Sequence, residues 1–378
     1  MTRKETGYRF YFAVIMLGAV VFFTSLAFTA DEGRMQPPAI TPAMIDSMNV
    51  LPGGLAALPA VPVPPENPQT QAKIELGKKL FFDTRLSLDR ASSCATCHAP
   101  EKAFTDGLPR SKGFQGALLP RNSLTVLNAA YNTAQFWDGR AATLDEQCKG
   151  PLLAVAEMNM LDEKHLVDRL NSIPGYRQDF QAVFNQGPSL DNVAHAVAAF
   201  ERTLVTPQSR FDRYASGDKS ALTEQEKRGL IVFIGKGTCS ECHNGPNFTD
   251  NKYHNLGLVP AHGSPEDAGR YSISKKEEDR NAFKTPGLRN VALTAPYMHD
   301  GSSATLEEVI DLYDRGGGEG PNKSKLIYKL NLTAQDKADL LAFLKTLTGN
   351  IPQVERPKMH PDANSASADL AHKGEQGQ

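Results

Sequence analysis

The amino-acid sequence predicts a mainly α-helical protein built of two similar halves. Apolar residues recur at helical spacing in several segments, long alternating strand patterns are absent, and one motif occurs twice with its flanking residues. The 378 residues are enough for two domains with ordinary cores. The formal net charge of −2 leaves no basic excess, which argues against a nucleic-acid partner.

The first 30 residues have the pattern of an export signal. Three basic residues precede an apolar run that starts at Phe10, and a small-x-small cleavage site ends at Ala27. The run is long enough that an uncleaved membrane anchor is the alternative. Both interpretations place the bulk of the chain outside the cytoplasm, and we expect a periplasmic protein.

The composition divides the rest of the chain into four parts. Residues 31–68 are proline-rich and indicate a linker or an extended strap. A first domain is predicted over 69–216 and a second over 217–355, because a loop-like stretch near 216–220 separates the two copies of the motif. Residues 356–378 are polar and indicate a disordered tail.

Several helices are predicted from apolar spacing, with start signals at two of them. The spacing is helical over residues 71–81, 192–204, 223–234 and 333–347. Thr223 with Glu226, and Thr305 with Glu308, fit a capping box. The loops between helices are long and rich in glycine and proline, so they need something besides their own side chains to pack against.

The repeat consists of two elements that recur in the same order. SSCATCHAPEKAFTD (92–106) corresponds to GTCSECHNGPNFTD (237–250). FWDGRAATLDEQ (136–147) then corresponds to MHDGSSATLEEV (298–309). Arg-Asn precedes the second element in both halves, so the sequence indicates a duplicated domain.

The repeated Cys-x-x-Cys-His motif is the attachment signal of c-type haem. Its two thiols bond to the vinyl groups of a haem, and the adjacent histidine reaches the iron from one face. The sequence therefore predicts two covalently bound haems, held by Cys94, Cys97, His98, Cys239, Cys242 and His243.

Two other interpretations of this motif explain less. A zinc finger would need a further ligand pair at close spacing, and pooling the two copies would close a loop of about 140 residues. A redox-active dithiol does not explain a histidine at the same offset twice. The remaining cysteine, Cys148, lies in a short predicted helix and is most simply a buried small residue.

The sixth iron ligand separates an electron carrier from an enzyme, because only a haem with an open position binds peroxide. No histidine or methionine lies between His98 and Glu157, and Met158 and Met160 follow a helix turn. We therefore expect the first haem to be open. Glu157 lies in an apolar stretch, where burial would raise its pKa and suit it to moving a proton; an exposed glutamate at a helix end is the alternative.

The second haem has more candidate ligands, and helical spacing selects one. Tyr313 falls at the last position of an i, i+3, i+4, i+7 pattern that begins at Leu306, so it is directed inward. It is either a core tyrosine or a phenolate ligand of ferric iron. The other candidates are Met298, His299, Met359, His254 and His262.

These motifs resemble those of the bacterial di-haem cytochrome c peroxidases, the family that includes MauG. The resemblance covers about residues 69–350. It rests on both haem motifs, RNSLTVLNAAYNTAQFWDGRAATLDEQCKGP (121–151), the pair Glu157-Met158 and FKTPGLRNVALTAPYMHDGSSATLEEVI (283–310). It implies two cytochrome c-like domains that face each other, each with one haem.

The resemblance also implies roles for residues around the first haem. Trp137, the only tryptophan in the chain, matches the tryptophan that lies between the haems. Gln147 and Glu157 match the distal glutamine and glutamate of the peroxide-binding haem. Pro151 matches the proline that lines that pocket.

A calcium site is implied between the two domains. Asn122, Thr294 and Pro296 match its residues, the last two through backbone carbonyls. An oxygen-only set that includes carbonyls suits calcium. His299 matches a histidine near the second haem.

Two positions depart from typical members and point toward MauG. Typical members carry a histidine in a loop that caps the first haem, whereas SKGFQGA (111–117) has none. Typical members also place a methionine on the second haem, at the position of Tyr313. A phenolate stabilises oxidised iron more than a thioether does, and members of the MauG type oxidise residues of a partner protein.

The sequence leaves three functions open. The first is a MauG-type peroxidase that uses hydrogen peroxide to oxidise a partner protein by long-range electron transfer. The second is a peroxide-detoxifying enzyme that receives electrons from a small cytochrome c or a cupredoxin. The third is a non-catalytic di-haem electron carrier, against which the open first haem argues.

Overall fold

The computed structural model describes residues 40–259 and 267–362. The predicted export signal and residues 363–378 of the predicted tail lie outside these ranges. Among the described residues, no helix combines the length and the apolar content that crossing a membrane requires.

The described chain is mainly α-helical, as the sequence predicts. Its α-helices are α1 Pro42–Ser47, α2 Gln71–Phe82, α3 Cys94–Cys97, α4 Leu144–Leu153, α5 Glu163–Asn171, α6 Pro174–Phe184, α7 Leu190–Glu201, α8 Arg210–Ala215, α9 Glu224–Ile234, α10 Tyr271–Ser274, α11 Leu306–Asp314 and α12 Ala334–Lys345. Two short antiparallel strands are β1 Tyr253–His254 and β2 Phe283–Lys284. Single 3-10 turns are Pro52–Gly54, Thr84–Leu86, Pro100–Lys102, Phe114–Gly116, Ala129–Tyr131, Cys239–Glu241, Glu277–Asp279 and Val291–Leu293.

The predicted helices are present, and side-chain caps set their starts. Thr223 and Glu226 form the predicted capping box at α9. Thr305 caps α11 by accepting a hydrogen bond from the Glu308 backbone N–H. Helix α7 begins two residues earlier than the apolar spacing predicts, because Ser189 caps it through the Asn192 N–H.

Two large apolar clusters form the interior. The first runs from Leu76 to Leu204 and packs α2 against α7. The second contains residues from Phe211 to Leu347 and packs α9 against α12. Each cluster includes the residues around one haem motif. We call residues 69–216 the first half and residues 217–355 the second half. The boundary between two domains stays a prediction.

The two helix pairs repeat one packing arrangement. In the first half, Gly77 of α2 lies against the Ala196 carbonyl of α7, where a Cβ atom would overlap the carbonyl oxygen. In the second half, Gly229 of α9 lies against the Asp339 carbonyl of α12 in the same way. Glycine is needed at both crossings because the two helix backbones approach too closely for a side chain. The duplication predicted from the motifs therefore extends to the helix packing.

The proline-rich segment before α2 is a packed strap. Its short helix α1, which the sequence did not predict, begins at a Thr41 cap and buries Ile45 in the second core. The Asp46 carboxylate accepts hydrogen bonds from Tyr214, which packs in the second core, and from Lys227 of the second half. Further along, the Asn67 amide donates to Asp145 in the first half. The segment thus contacts both halves.

Residues 356–362 are ordered, which corrects the prediction of a disordered tail over this stretch. The His360 ring lies edge-on to Tyr176, and its Nε2 is 2.7 Å from the Asp179 carboxylate. Arg85 donates to the His360 carbonyl and pairs with Asp362. Composition missed this contact because it depends on a few specific polar partners and not on apolar content.

Candidate functional site

One large cavity, of about 1260 Å³, is lined by all of the predicted site residues of both halves except Cys94, which lines a smaller cavity. Its walls are mostly apolar, and both haem motifs open into it. Loops between α3 and α4 and between β2 and α11 supply many of the remaining wall positions. The predicted site residues along its wall are Cys97, His98, Asn122, Trp137, Gln147, Glu157, Cys239, Cys242, His243, Thr294, Pro296 and Tyr313.

The two motif histidines are held in the same way. The Nδ1 of His98 lies 3.2 Å from the Phe104 carbonyl oxygen, and the Nδ1 of His243 lies 3.1 Å from the Phe248 carbonyl oxygen. A carbonyl only accepts, so Nδ1 carries the proton and Nε2 is the free ligand atom. Burial lowers the pKa of both rings, that of His243 to about 4. Both are therefore neutral imidazoles, the form that binds a metal.

Burial also determines the state of the motif cysteines. It raises the pKa of the Cys94 and Cys239 thiols to about 12 and that of Cys97 to about 11. Neutral thiols in a mostly apolar wall agree with thioether attachment to an apolar group.

A second, smaller cavity of about 60 Å³ adjoins the first beside His98. Helix α4 provides Gln147 and Pro151 to both cavities, and the turn after α4 provides Glu157. We call this space, which shares His98, Gln147, Pro151 and Glu157 with the main cavity, the side cavity. The structure therefore brings together the residues that the sequence assigned to the peroxide-binding haem.

Glu157 is a largely buried carboxyl group. Burial raises its pKa, and the charge of Arg140 partly opposes that effect. The Arg140 guanidinium lies 3.4 Å from the centre of the Phe136 ring and pairs with Asp138. An acid with a raised pKa in an enclosed wall is suited to proton transfer, as the sequence predicts for this residue.

The loop over 111–117 closes the side cavity without providing an iron ligand. The Phe114 N–H donates to the Ala156 carbonyl, and Gly113 packs so closely on that carbonyl that a Cβ would overlap it. The loop contains no histidine. Met158 and Met160 are buried in the first core, and Met160 does not reach either cavity wall. Among the described residues that line the side cavity, Met158 is the one remaining sulfur outside the haem motif and Cys148.

Tyr313 faces the main cavity beside the second haem motif. It follows Leu306, Val309 and Ile310 on one face of α11, and all four line the cavity. Burial raises the pKa of its phenol, with smaller contributions from Cys239 and Cys242. A phenol with a raised pKa is neutral at ordinary pH, and a bound cation that replaces the proton would favour its ionised form.

Trp137 is buried and oriented by the segment that precedes it. Its indole Nε1 donates to the Asn122 carbonyl at 2.9 Å. The His299 ring lies edge-on to it, with centroids 6.5 Å apart, and stacks on Phe283 at 3.7 Å. The Asn122 backbone N–H donates to the His299 carbonyl at 2.7 Å, so the two halves of the repeat meet at this tryptophan.

Comparisons with known proteins agree with this geometry. Residues 71–220 match the family model described as di-haem cytochrome c peroxidase. The chain is 41% identical to the methylamine utilization protein MauG of Methylorubrum extorquens, over 79% of this chain and 85% of that protein. It is 40% identical to the cytochrome-c peroxidase IdrP1 of Pseudomonas sp. (strain SCT), over 82% of this chain and 88% of that one. The chain belongs to the di-haem cytochrome c peroxidase family.

A solved structure extends the similarity to the fold. A MauG-like protein associated with microbial copper homeostasis is 38% identical, with a TM-score of 0.71 over 78% of this chain and 94% of that one. The diheme peroxidase BthA from Burkholderia thailandensis has a TM-score of 0.66 at 26% identity, over 79% of this chain and 92% of that one. As a di-haem cytochrome c peroxidase, the chain is an oxidoreductase that acts on peroxide together with a redox partner.

The site fits the two c-type haems that membership of this family implies. The cavity is large and apolar, each end carries a Cys-x-x-Cys-His motif, and each motif histidine presents a free Nε2. Iron would be held by His98 in the first half and by His243 in the second. Tyr313 lines the main cavity, as do the other candidate ligands Met298, His299 and His254.

Two buried polar groups, Lys284 and Glu201, line the di-haem cavity although the sequence did not single them out, and the candidate ligand His254 lines it too. Burial lowers the pKa of Lys284 to about 8 and raises that of Glu201 to about 8. His254 has its pKa raised to about 9, chiefly by a hydrogen bond with Asp250 and then by one with Cys242. Lys284 lies in the two-residue strand β2 and Glu201 at the end of the apolar helix α7, so neither belongs to a recognisable motif.

The residues that the resemblance assigned to calcium all reach the main cavity. The Asn122 amide donates to the Leu108 carbonyl at 2.8 Å, which leaves its oxygen as the acceptor. Thr294 and Pro296 lie on either side of Ala295 in the loop before α11. Cys242, Asp250 and His254 are a separate group with ligand atoms within 4.8 Å of one another, but thioether formation at Cys242 would remove its thiolate.

Proposed function

We propose that the protein is an exported di-haem peroxidase of the MauG type, which oxidises residues of a partner protein by long-range electron transfer. The observation that carries this proposal is the position of Tyr313, which lines the same cavity wall as Cys239 and Cys242. A phenolate ligand favours ferric and higher oxidation states of iron, whereas a thioether favours the ferrous state. Tyr313 would therefore make the second haem a poor acceptor of electrons from a small cytochrome.

In this proposal, peroxide is reduced in the first half of the chain. When bound, the first haem supplies the iron at which peroxide is reduced. His98 would hold that iron through its free Nε2, and Gln147, which lines the same two cavities, would orient the peroxide. Glu157 takes a proton from one peroxide oxygen and returns it to the other.

Trp137 provides the path between the two halves. Its indole is buried, hydrogen-bonded and close to His299, so it keeps one orientation. Trp137 would carry oxidising equivalents between the halves, and His243 and Tyr313 would hold the iron of the second half. The partner protein then donates electrons without its reacting residue having to enter the cavity.

A cytochrome-c peroxidase role is the second candidate, with a small cytochrome c or a cupredoxin as electron donor. The observation that favours it is the similarity to the protein named cytochrome-c peroxidase IdrP1, which is as close as the similarity to MauG. The third candidate, a non-catalytic electron carrier, is disfavoured because the side cavity leaves space beside Gln147 and Glu157 and the 111–117 loop provides no histidine.

One experiment separates the first two candidates. The purified diferric protein is mixed with stoichiometric hydrogen peroxide, and its absorption spectrum is followed; turnover with reduced cytochrome c is then measured. The MauG-type role predicts a long-lived oxidised state and slow turnover. Fast turnover, with a second haem that reduces readily, would establish the cytochrome-c peroxidase role instead. Tyr313→Met is the matched variant and should move both readouts toward the second candidate.

We propose calcium as a further component, held by Asn122 together with the backbone carbonyls of Thr294 and Pro296. The support is that all three line one cavity and offer oxygen atoms only. Chelator treatment should remove one calcium per chain, measured by elemental analysis. An Asn122→Ala variant that retains a full equivalent of calcium would contradict the assignment.

The proposed location is the periplasm, because residues 1–30 have the pattern of an export signal. Mass spectrometry of the mature N-terminus and fractionation of the cells test this location. An intact N-terminus in the cytoplasmic fraction would rule it out.

A further inference from the structure

Glu201 is a buried acid in the wall of the peroxide site. It is the last residue of α7, it is 4% exposed, and it lines both the main cavity and the side cavity. Gln147 and Glu157 line the same two cavities. The Glu201 Oε2 atom has no hydrogen-bond partner within the described part of the chain. A carboxyl oxygen buried without a partner is costly, so a structural role alone does not account for it.

The internal repeat shows what occupies this position in the other half. Gly77 packs against Phe200 of α7, and Gly229 packs against Phe343 of α12 at the corresponding helix crossing. This register aligns Glu201 with Leu344, the residue that follows Phe343. Leu344 is also buried and also lines the main cavity. The same wall position therefore carries a carboxyl group in the half with the side cavity and a leucine in the other half.

Polar groups connect Glu201 to the outside of the molecule. Arg202 NH2 donates to Asp145 Oδ2 at 2.6 Å, and the Asp145 Oδ1 atom lies 4.0 Å from His195 Nε2. The side chains of Asp145 and His195 are 15% and 33% exposed. Arg202 is the neighbour of Glu201 in the chain and is itself buried, so the Asp145–Arg202 pair adjoins the end of α7. Polar groups thus extend from the surface at His195 to the cavity wall.

We propose that Glu201 is a second proton-transfer residue of the peroxidase, which brings protons from the His195–Asp145 side to the peroxide beside Gln147 and Glu157. This inference deepens the proposed function: it rests on peroxide reduction at the first half and not on which reductant supplies the electrons.

The proton balance of peroxide reduction requires a source of protons other than Glu157. Reduction of one hydrogen peroxide breaks the O–O bond and consumes two electrons and two protons, giving two water molecules. The electrons come from the oxidised partner, a protein side chain or a reduced redox protein. Glu157 moves a proton from one peroxide oxygen to the other and so adds none. Glu201 gives a proton from its carboxylic acid, becomes a carboxylate, and regains a proton from the Asp145 side.

The surroundings keep Glu201 in the form that this role needs. Burial raises its pKa to about 8, the positive charge of Arg202 lowers it, and the negative charge of Asp145 raises it further. The thiols of Cys94 and Cys148 are the other titratable groups that interact with it. At neutral pH Glu201 is therefore mostly a carboxylic acid. Above about pH 8 Glu201 loses its proton and can no longer donate it for peroxide reduction.

Glu201→Gln tests the proposal, because glutamine keeps the shape of the side chain but carries no transferable acid proton. The enzyme is mixed with hydrogen peroxide and a small-molecule electron donor in a stopped-flow instrument, so that both electrons and both protons are consumed, and the rate of peroxide consumption is expressed per haem. We expect Glu201→Gln to lose about 10²-fold, the lower range for general acid–base catalysis. We expect the fall in wild-type rate above about pH 8 to disappear. Glu201→Asp should recover part of the rate and the alkaline fall.

An infrared titration provides a readout that is independent of activity. A protonated carboxyl band of the wild type should vanish near pH 8 and be missing from Glu201→Gln. Glu201→Leu, which installs the residue of the second half, should be as slow as Glu201→Gln. Glu226→Gln is the matched control: Glu226 is buried, pairs with Arg210 and does not line the cavity, so its rate and pH profile should equal those of the wild type.

Two results would overturn the proposal. One is a Glu201→Gln variant with the wild-type rate per haem and the wild-type pH profile. The other is the absence of a carboxyl band that depends on Glu201. Because no partner protein is present in either assay, these results leave the test with cytochrome c unaffected, and failure of the proposed reductant would leave the Glu201 result standing.

Discussion

Pro151 and Tyr313 occupy equivalent positions in the two halves of the repeat. Thr143 caps α4 and Thr305 caps α11, and each of the two residues lies eight positions after its cap. Both line the main cavity. Proline has no atom that binds iron, whereas tyrosine has a phenol oxygen. One substitution at a repeated position thus distinguishes a half with space for peroxide from a half with a candidate iron ligand.

We predict that Tyr313→Met raises the reduction potential of the second haem. A thioether favours ferrous iron, and axial ligands shift haem potentials over roughly 0.8 V, so the change should be on the order of 0.1 V or more. Spectroelectrochemical titration measures it. Tyr313→Phe should change the visible spectrum of the ferric protein, because the ligand is lost.

Tyr297→Phe is the control for the Tyr313 variants. Tyr297 also lines the cavity, but its hydroxyl donates to the Val291 carbonyl at 2.9 Å. Its removal should leave the spectrum of the second haem unchanged. If Tyr313→Phe also left the visible spectrum of the second haem unchanged, Tyr313 would be a core residue and not a ligand.

Glu157→Gln should slow the reaction with peroxide by about 10²- to 10⁴-fold. Glu157 must be ionised to accept a proton, and burial raises its pKa. The wild-type rate should therefore fall as the pH drops through this raised pKa, and the variant should lack that acidic limb. Stopped-flow rates measured across the pH range test both expectations.

An exposed glutamate of the first half serves as the control for Glu157. Glu75 lies on the surface of α2, where it accepts a hydrogen bond from Gln71. Glu75→Gln should keep the rate and the acidic limb. An unchanged acidic limb in Glu157→Gln would assign that limb to another group.

The sequence predicted this site well where chemistry depends on spacing along the chain. The Cys-x-x-Cys-His motifs are local, and the position of Tyr313 follows from the regular turn of α11. Glu201 was missed for a physical reason. Helical spacing over 192–204 indicates which face of α7 is buried, but not that its last turn borders a cavity instead of other side chains. Whether the last turn of α7 borders a cavity depends on how segments distant in the sequence pack around it.

The same limit explains the other differences. Lys284 lies in a two-residue strand, too short for any periodic pattern, so its burial was not predictable. The strap around Asp46 and the segment around His360 are held by a few specific hydrogen bonds to distant residues. Composition averages over such contacts, which is why it indicated a linker and a disordered tail.

A variant with Cys94→Ala and Cys97→Ala should carry one covalent haem instead of two. The attachment in the second half depends on Cys239 and Cys242 and should persist. Intact mass and haem content per chain measure the loss. Peroxide reactivity should disappear with the first haem, since His98 and Glu157 would then face an incomplete site.

Cys148→Ala is the control for the attachment variant. Cys148 is buried in the first core, and burial keeps the pKa of its thiol well above its usual value. Its replacement should leave two covalent haems in place and lower stability only slightly. Loss of a haem in this variant would show that Cys148 takes part in attachment.

Gly229→Ala should destabilise the second half. A Cβ at this position would overlap the Asp339 carbonyl oxygen and lie 2.7 Å from the Cβ of Phe343, so α9 and α12 would have to separate. Overpacking of this kind costs about 1–3 kcal/mol or more. At roughly 2–4 °C per kcal/mol for a domain of this size, thermal unfolding should begin several degrees lower.

Gly187→Ala distinguishes the helix crossing from a general effect of replacing glycine. No heavy atom lies within 4 Å of a Cβ built at Gly187, which precedes α7, so this variant should unfold close to the wild-type temperature. Gly77→Ala should show the loss seen for Gly229→Ala, but in the first half. If Gly229→Ala were as stable as Gly187→Ala, the close contact between α9 and α12 would not hold the second half together. The alignment of Glu201 with Leu344, which rests on the helix crossings at Gly77 and Gly229, would then lose the crossing at Gly229.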